Sequence, residues 1–176
     1  MAASGQGSKG KGAGVCLEQR VGQALKKRRL TISVAESCTG GLLASRIIDA
    51  PGASAYFIGG IVAYHNEVKA KLLAVPEEAL KKIGAISEET ATAMARGCRR
   101  LFGTDIGVSI TGIAGPTGGS AAKPVGITYI AVESVTGRRC ECFRWSGNRA
   151  SNRESSVNAA LELVLAFLDD DSRPSV

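Results

Sequence analysis

The chain has 176 residues, 44% of them apolar, which suits one domain with a real core. Its formal net charge is +6 with aromatics at only 5%, so anions of any kind are attracted, but the aromatic platforms of RNA and single-strand readers are missing. Its five cysteines are odd in number and form no disulfide framework, and no stretch has transmembrane length or a signal-peptide core, so the expected setting is reducing and cytoplasmic.

In chain order, the Gly/Ser/Lys-rich leader 1–14 reads as disordered. A domain is expected over 15–170, with a frayed tail 171–176 after it, inside the polar run DDDSRPSV that begins at Asp169. Apolar residues Val21, Ala24 and Leu25 share one face of a helix expected over Cys16 to Lys27. Thr31 to Val34 reads as a strand. A second helix starts in the turn SCTGG and runs to Ile48, where Pro51-Gly52 breaks it. Tyr56 to Tyr64 reads as a strand interrupted by Gly59-Gly60. Short helices follow over Asn66 to Leu73 and Glu77 to Lys82. Ser87 with Glu88 and Glu89 signals the start of a helix reaching Phe102. Ile106 to Ile110 is a short apolar strand, followed by the loop TGIAGPTGGSAAKP. Val125 to Val132 and Arg139 to Trp145 form a hairpin about Thr136-Gly137, and Ser151 or Asn152 caps a last helix through Leu168. Helices alternating with strands, then a hairpin, predict an α/β layered domain with a mixed sheet.

Two glycine-rich segments, AESCTGG and TGIAGPTGG, follow apolar strands, where ligands of such sheets bind. Ser37 sits on the first. A helix start there offers free N–H groups and partial positive charge, so Ser37 or Thr39 is either a helix cap or, for Ser37, a nucleophile beside oxyanion donors. A serine nucleophile needs a base. The single histidine, His65, lies at a strand end and reads as a surface or hydrogen-bonded residue. Lysine is the other solution, provided burial or nearby positive charge lowers its pKa. Lys69 and Lys71 are two apart on a helix, so at most one faces a site; an exposed lysine is the plainer reading of either. Glu36 adjoins Ser37 and is read as a partner for nearby backbone groups. Arg149 and Arg153, four apart at a helix start, could clamp a phosphate or lie on the surface. Cys140 and Cys142 share a strand face, but one histidine and no second thiol pair support no zinc site. No metal or other cofactor is expected.

The segments AESCTGG, YHNEVKAKLL, GAISEETA, SITGIAGPTGGSAAKPVG and SGNR, in this order, resemble the CinA carboxyl-terminal domain family, whose characterised members are nicotinamide mononucleotide deamidases. The likeness runs from Val21 to Leu168, without the amino-terminal domain of full-length relatives, so the chain looks like the stand-alone form. The resemblance implies a single three-layer α/β/α domain with a mixed, mostly parallel sheet. It implies an amidohydrolase that converts nicotinamide mononucleotide to nicotinic acid mononucleotide and ammonia through a Ser-Lys acyl-enzyme. Ser37 would be the nucleophile, Lys69 the base and Tyr64 a further active-site residue. The turn Cys38, Thr39, Gly40 and Gly41, together with Thr111, Gly112 and Arg149, would bind substrate, with Arg153 the other candidate arginine. Family members commonly read SGDR, where this chain has Asn148 and one negative charge fewer. Expected partners are a phosphorylated pyridine ribonucleotide and a second copy of the chain, in a homodimer or higher homo-oligomer. Two other readings remain: a catalytically weak nucleotide-binding or regulatory module of the same family, and a nucleic-acid binder using the cluster Lys26 to Arg29.

Overall fold

Apolar residues every third or fourth position give the first helix its buried side. In the computed structural model, which describes residues 15–171, α1 spans Leu17–Arg28 and buries Val21 and Leu25. The chain reverses at Arg29 in a left-handed conformation and enters β1, Ile32–Glu36, every residue of which is buried. Such a run belongs at the centre of a sheet, and the strand order is β2-β1-β3-β4-β5. Here α2 is Leu42–Ile48, β2 Phe57–Val62, α3 Asn66–Leu73, α4 Glu77–Lys82, α5 Glu88–Phe102, β3 Ile106–Gly112, β4 Ile127–Glu133, β5 Arg138–Arg144 and α6 Arg149–Asp171. β1 pairs in parallel with β2 and β3; β4 runs antiparallel to β3, and β5 to β4, so only β4 opposes the common direction.

The two faces of the sheet are built from different residues. On one, Ile32, Val34, Ile106, Val108, Ile110, Ile130 and Val132 pack against Val21 and Leu25 of α1 and Val157, Leu161, Val164 and Leu168 of α6, with α2 beside them. Full burial of each such side chain contributes about 1.5–3 kcal/mol. On the other face the strand residues are small: Ser33, Ala35, Gly107, Ser109 and Ala131. That lets α5 approach closely, and α3 and α4 pack on α5 in turn. A Cβ on Gly107 would stand 2.1 Å from the Ala95 carbonyl oxygen. The Ser109 hydroxyl donates to the Ala91 carbonyl at 2.6 Å, and Ser33 and Thr104 share a 2.8 Å bond, so the hydroxyls on this face are satisfied. The result is a three-layer α/β/α arrangement on a mixed sheet.

α3 meets α5 at similarly close range. A Cβ on Gly97 would lie 1.9 Å from the Leu73 carbonyl oxygen, so Gly97→Ala forces the two helices apart. Its expected cost is about 3 kcal/mol or more. In thermal unfolding this should read as a fall in Tm of roughly 6–12 °C; an unchanged Tm would mean that the two helices can separate freely.

Several expected boundaries move for tertiary reasons. β2 runs without a break through Gly59 and Gly60, because these glycines admit their neighbours: a Cβ on Gly60 would be 2.5 Å from Val34 Cγ2. The pairing with β1 slips at Ile32/Ser33 instead. The last helix starts at Arg149, before Ser151 and Asn152, since the Asn148 side-chain oxygen accepts from the Ser151 N–H at 3.0 Å. It also runs past Leu168 to Asp171, the first residue expected to fray. Ser87 does cap α5, accepting from the Thr90 N–H at 3.2 Å. The leader 1–14 and residues 172–176 lie outside the described residues. No helix among the described residues is long and apolar enough to cross a membrane.

Candidate active site

β1 and β3 lie side by side in parallel, so their carboxyl ends open on the same edge of the sheet. Ser37 follows β1 directly, and its N–H donates to the Ile110 carbonyl at 2.9 Å, prolonging the ladder by one residue. Thr111 and Gly112 end β3 beside it. Between them is a cavity of about 250 Å³, lined by Ser37, Cys38, Tyr64, Lys69, Thr111, Gly112 and Arg149, among others.

Lys69 is 1% exposed. Its Nζ stands 3.1 Å from Ser37 Oγ, 2.6 Å from the Ala63 carbonyl oxygen and 3.5 Å from that of Tyr64. Among the described residues no carboxylate comes within ion-pair distance of this amine. Burial therefore lowers its pKa below the ordinary lysine value, with the neighbouring Cys38 sulfur pulling the other way. A neutral amine at this place donates to the carbonyls and turns its lone pair toward the serine hydroxyl. Two residues on, Lys71 points to solvent and pairs with Glu67 at 3.9 Å. His65 caps α3, its Nδ1 accepting from the Glu67 N–H at 3.4 Å. The Cys38 thiol lines the cavity, and burial pushes its pKa up to about 11, which keeps it a protonated neighbour.

The turn between β1 and α2 is not held as a serine or threonine cap. Gly41 occupies the cap position with φ +96°, a conformation suited to glycine. The buried Glu36 carboxylate does the capping from the strand end: it accepts from the N–H groups of Gly41 at 3.0 Å, Leu43 at 3.0 Å and Ala44 at 2.8 Å. Ser37 Oγ is thus free for Lys69. Thr39, wholly buried, keeps its hydroxyl without a partner, and Thr39, Gly40 and Gly41 lie outside the cavity lining. The N–H of Gly40 closes back on the Ser37 carbonyl at 3.2 Å. Within the turn, the N–H groups of Cys38 and Thr39 have no backbone acceptor among the described residues.

The arginines divide. Arg149 faces the cavity, donating to the Gly115 carbonyl at 2.8 Å and to the Tyr64 hydroxyl at 3.2 Å. Tyr64 is 62% exposed and stands at the cavity mouth with Arg149, touching Lys69 only through its backbone carbonyl. Arg153, one turn further along α6, does not line the cavity and donates to the Thr39 carbonyl instead. Thr111 is buried in the wall, its hydroxyl donating to the Ala85 carbonyl at 2.8 Å. Asn66, Ile86 and Thr117 also line the cavity; all three lie in segments that carry the family resemblance, and no local pattern distinguishes them from their neighbours. Of the basic cluster, Lys26 donates to the Pro51 carbonyl and lies 5.5 Å from the Tyr56 ring centre, and Arg28 binds Asp169, so both have internal work. Cys140 and Cys142 stand on β5 opposite Ala131 and Tyr129, and no group of three His, Cys, Asp or Glu side chains suited to a metal occurs among the described residues.

A three-layer α/β/α domain with a ligand-sized cavity where parallel strands end defines the general class. The comparisons then place it: residues 15–168 match the CinA C-terminal domain, and the chain belongs to that family. A CinA-like protein of Desulfotalea psychrophila is 47% identical over 155 residues, covering 88% of this chain and 38% of its own length. The chain therefore spans well under half the length of the curated relatives it matches. Among solved structures, the competence/damage inducible protein CihA from Agrobacterium tumefaciens aligns with a TM-score of 0.84 at 38% identity, covering 87% of this chain and 93% of that one. A CinA superfamily protein from Klebsiella pneumoniae aligns with a TM-score of 0.85 at 31% identity, over 88% and 96% of the two chains.

Proposed function

We propose that the protein is an amidohydrolase that deamidates nicotinamide mononucleotide to nicotinic acid mononucleotide and ammonia. The observation that carries this reading is the buried Lys69 amine, 3.1 Å from Ser37 Oγ and without a carboxylate partner. A base needs a lone pair at working pH, and desolvation shifts this amine toward its neutral form. In the proposed reaction neutral Lys69 takes the Ser37 proton as Oγ attacks the carboxamide carbon. Negative charge grows on the amide oxygen, and the N–H of Cys38, on the cavity wall beside Ser37, is the turn donor proposed to receive it. Preorganised donors of this kind are worth about 2.7–4 kcal/mol each in a well-studied case. The Lys69 proton passes to the departing nitrogen, which leaves as ammonia. Water, deprotonated by the same lysine, then hydrolyses the acyl-serine, and Ser37 is regenerated.

The cavity fits an anion. Arg149 places a guanidinium on its wall, and among the described residues no aspartate or glutamate lines it. Arg149 and the Tyr64 hydroxyl at the mouth are the groups proposed to take the substrate's phosphate, with Thr111 and Gly112 along the wall. Asn148 keeps the helix cap that an aspartate would provide, so the missing charge leaves the start of α6 in place.

The test is ammonia release from nicotinamide mononucleotide by the purified protein, with rapid quenching to look by mass for an acyl adduct on Ser37. Turnover with an adduct of the whole nicotinic acid mononucleotide acyl group, ribosyl phosphate included, is the expected result. Ligand binding with no ammonia at any pH would overturn the amidohydrolase reading in favour of a nucleotide-binding module.

A further inference from the structure

The start of α6 reaches two places at once. Arg149 meets the cavity, Asn152 donates to the Ala114 carbonyl at 3.1 Å, and Arg153 meets the turn that carries Ser37. The Arg153 contact is forked: Nε lies 3.2 Å and Nη2 2.6 Å from the same Thr39 carbonyl oxygen. Among the described residues Arg153 has no acidic partner, so this carbonyl is what its charge serves.

That carbonyl belongs to the Thr39–Gly40 peptide plane. The N–H of the same plane donates to the Ser37 carbonyl at 3.2 Å. Gly40 follows at φ +63°, a position where a glycine turns most easily. A peptide next to a glycine is the one most prone to flip, and a flip here would break both bonds. The bond it would break from the Gly40 N–H ends on the carbonyl of Ser37 itself, so the turn would loosen at the residue that carries the nucleophile. A charged donor gripping the carbonyl makes that flip costly.

We propose that Arg153 is a positioning residue for the nucleophile: it locks the Thr39–Gly40 peptide and so holds Ser37 and the neighbouring Cys38 N–H in reacting geometry, while Arg149 takes the ligand. The proposal rests on Ser37 being the nucleophile, not on the identity of the amide. One helix turn thereby joins the ligand-facing arginine to the reactive turn.

The experiment uses a fluorophosphonate probe, which labels an activated serine without needing the natural substrate. Labelling rates of Ser37 are compared in wild type, Arg153→Met, Arg153→Lys and Arg149→Met, beside kcat, KM and calorimetric Kd for nicotinamide mononucleotide. Arg153→Met should label roughly 10- to 100-fold more slowly, with a matching fall in kcat, since losing a charged hydrogen bond is worth about that factor. Its Kd and KM should stay within about twofold of wild type, and Arg153→Lys should recover part of the rate; the bracketing cause is that only the turn, not the ligand contact, has been loosened. Arg149→Met should show the reverse pattern, a raised KM with labelling nearly intact. Unchanged labelling in Arg153→Met, or a Kd weakened tenfold or more with labelling intact, would overturn the positioning role. Labelling lost in Arg153→Met together with cooperative thermal unfolding, and not recovered at all in Arg153→Lys, would also count against it. If wild type labels at Ser37 but releases no ammonia, the amide reading falls alone and the labelling rates still decide this one. If wild-type Ser37 does not label, both fall.

Discussion

Ser37→Ala and Lys69→Met should each lower kcat by about four orders of magnitude or more, and the double variant should fall no further, as groups acting as one unit do. The ground is the 3.1 Å contact between two buried groups, each of which has no chemical use without the other. Steady-state kinetics of the three variants checks this; two losses that multiply would mean that serine and lysine act in separate steps. Direction with pH follows from the same burial. In the proposed mechanism the active amine is the neutral one, so kcat/KM should fall as pH drops through the lowered pKa of Lys69 and level off above it. Stability carries the same signature. Between the depressed folded value and the unfolded value of 10.5, the unfolded chain holds a proton that the folded one does not. Stability should therefore rise with pH across that window, by at most about 1.4 kcal/mol per unit from this group. Three cysteines oppose it, since the buried Cys38 and Cys98 and the half-buried Cys140 are pushed up to about 11 and bind more protons when folded. The difference between wild type and Lys69→Met in chemical denaturation removes that common term. A difference that is flat with pH would mean that Lys69 stays charged in the fold.

Glu36→Ala should cost the fold about 3 kcal/mol or more, because a charged acceptor is lost and N–H groups it served are left in the interior. Those groups are the backbone donors of Gly41, Leu43 and Ala44, the first two at 3.0 Å and the third at 2.8 Å from a carboxylate on a residue 1% exposed. Tm should fall by roughly 6–12 °C for a chain of this size. Glu36→Gln should lie between, since an amide keeps one acceptor oxygen but turns an NH2 toward a backbone donor. Below the transition the folded Glu36→Gln protein should lose kcat more than KM rises, because the loosened turn carries Ser37 and its oxyanion donor but not Arg149 or Tyr64, the groups proposed to hold the phosphate. A Glu36→Ala protein with wild-type Tm would show that water or Thr39 can replace the carboxylate as the cap of α2.

Much of this was legible in the chain. Element types and order follow from local periodicity, so α3 over Asn66–Leu73 and α4 over Glu77–Lys82 lie where the pattern puts them. Glycine-rich turns after apolar strands marked the two loops that meet at the cavity, since a close turn at a strand end leaves a local trace. The family likeness also came from the sequence, and residues 15–168 match it. What local pattern could not decide was every choice between two similar residues. Lys69 and Lys71 have the same chemistry, yet one is buried and the other pairs with Glu67 in solvent. Arg149 and Arg153 share a helix, yet one meets the cavity and the other the Thr39 carbonyl. Ser37 and Thr39 are both good caps, yet Glu36 displaced them. The physical reason is separation along the chain. Ser37 and Lys69 lie 32 residues apart and Thr39 and Arg153 lie 114 apart, so their contacts depend on strand order and helix layering. Sequence alone determined which groups were available and where the chain would turn. Only the tertiary structure decided which lysine lost its water, which arginine gripped the turn, and that the serine hydroxyl was left to that lysine.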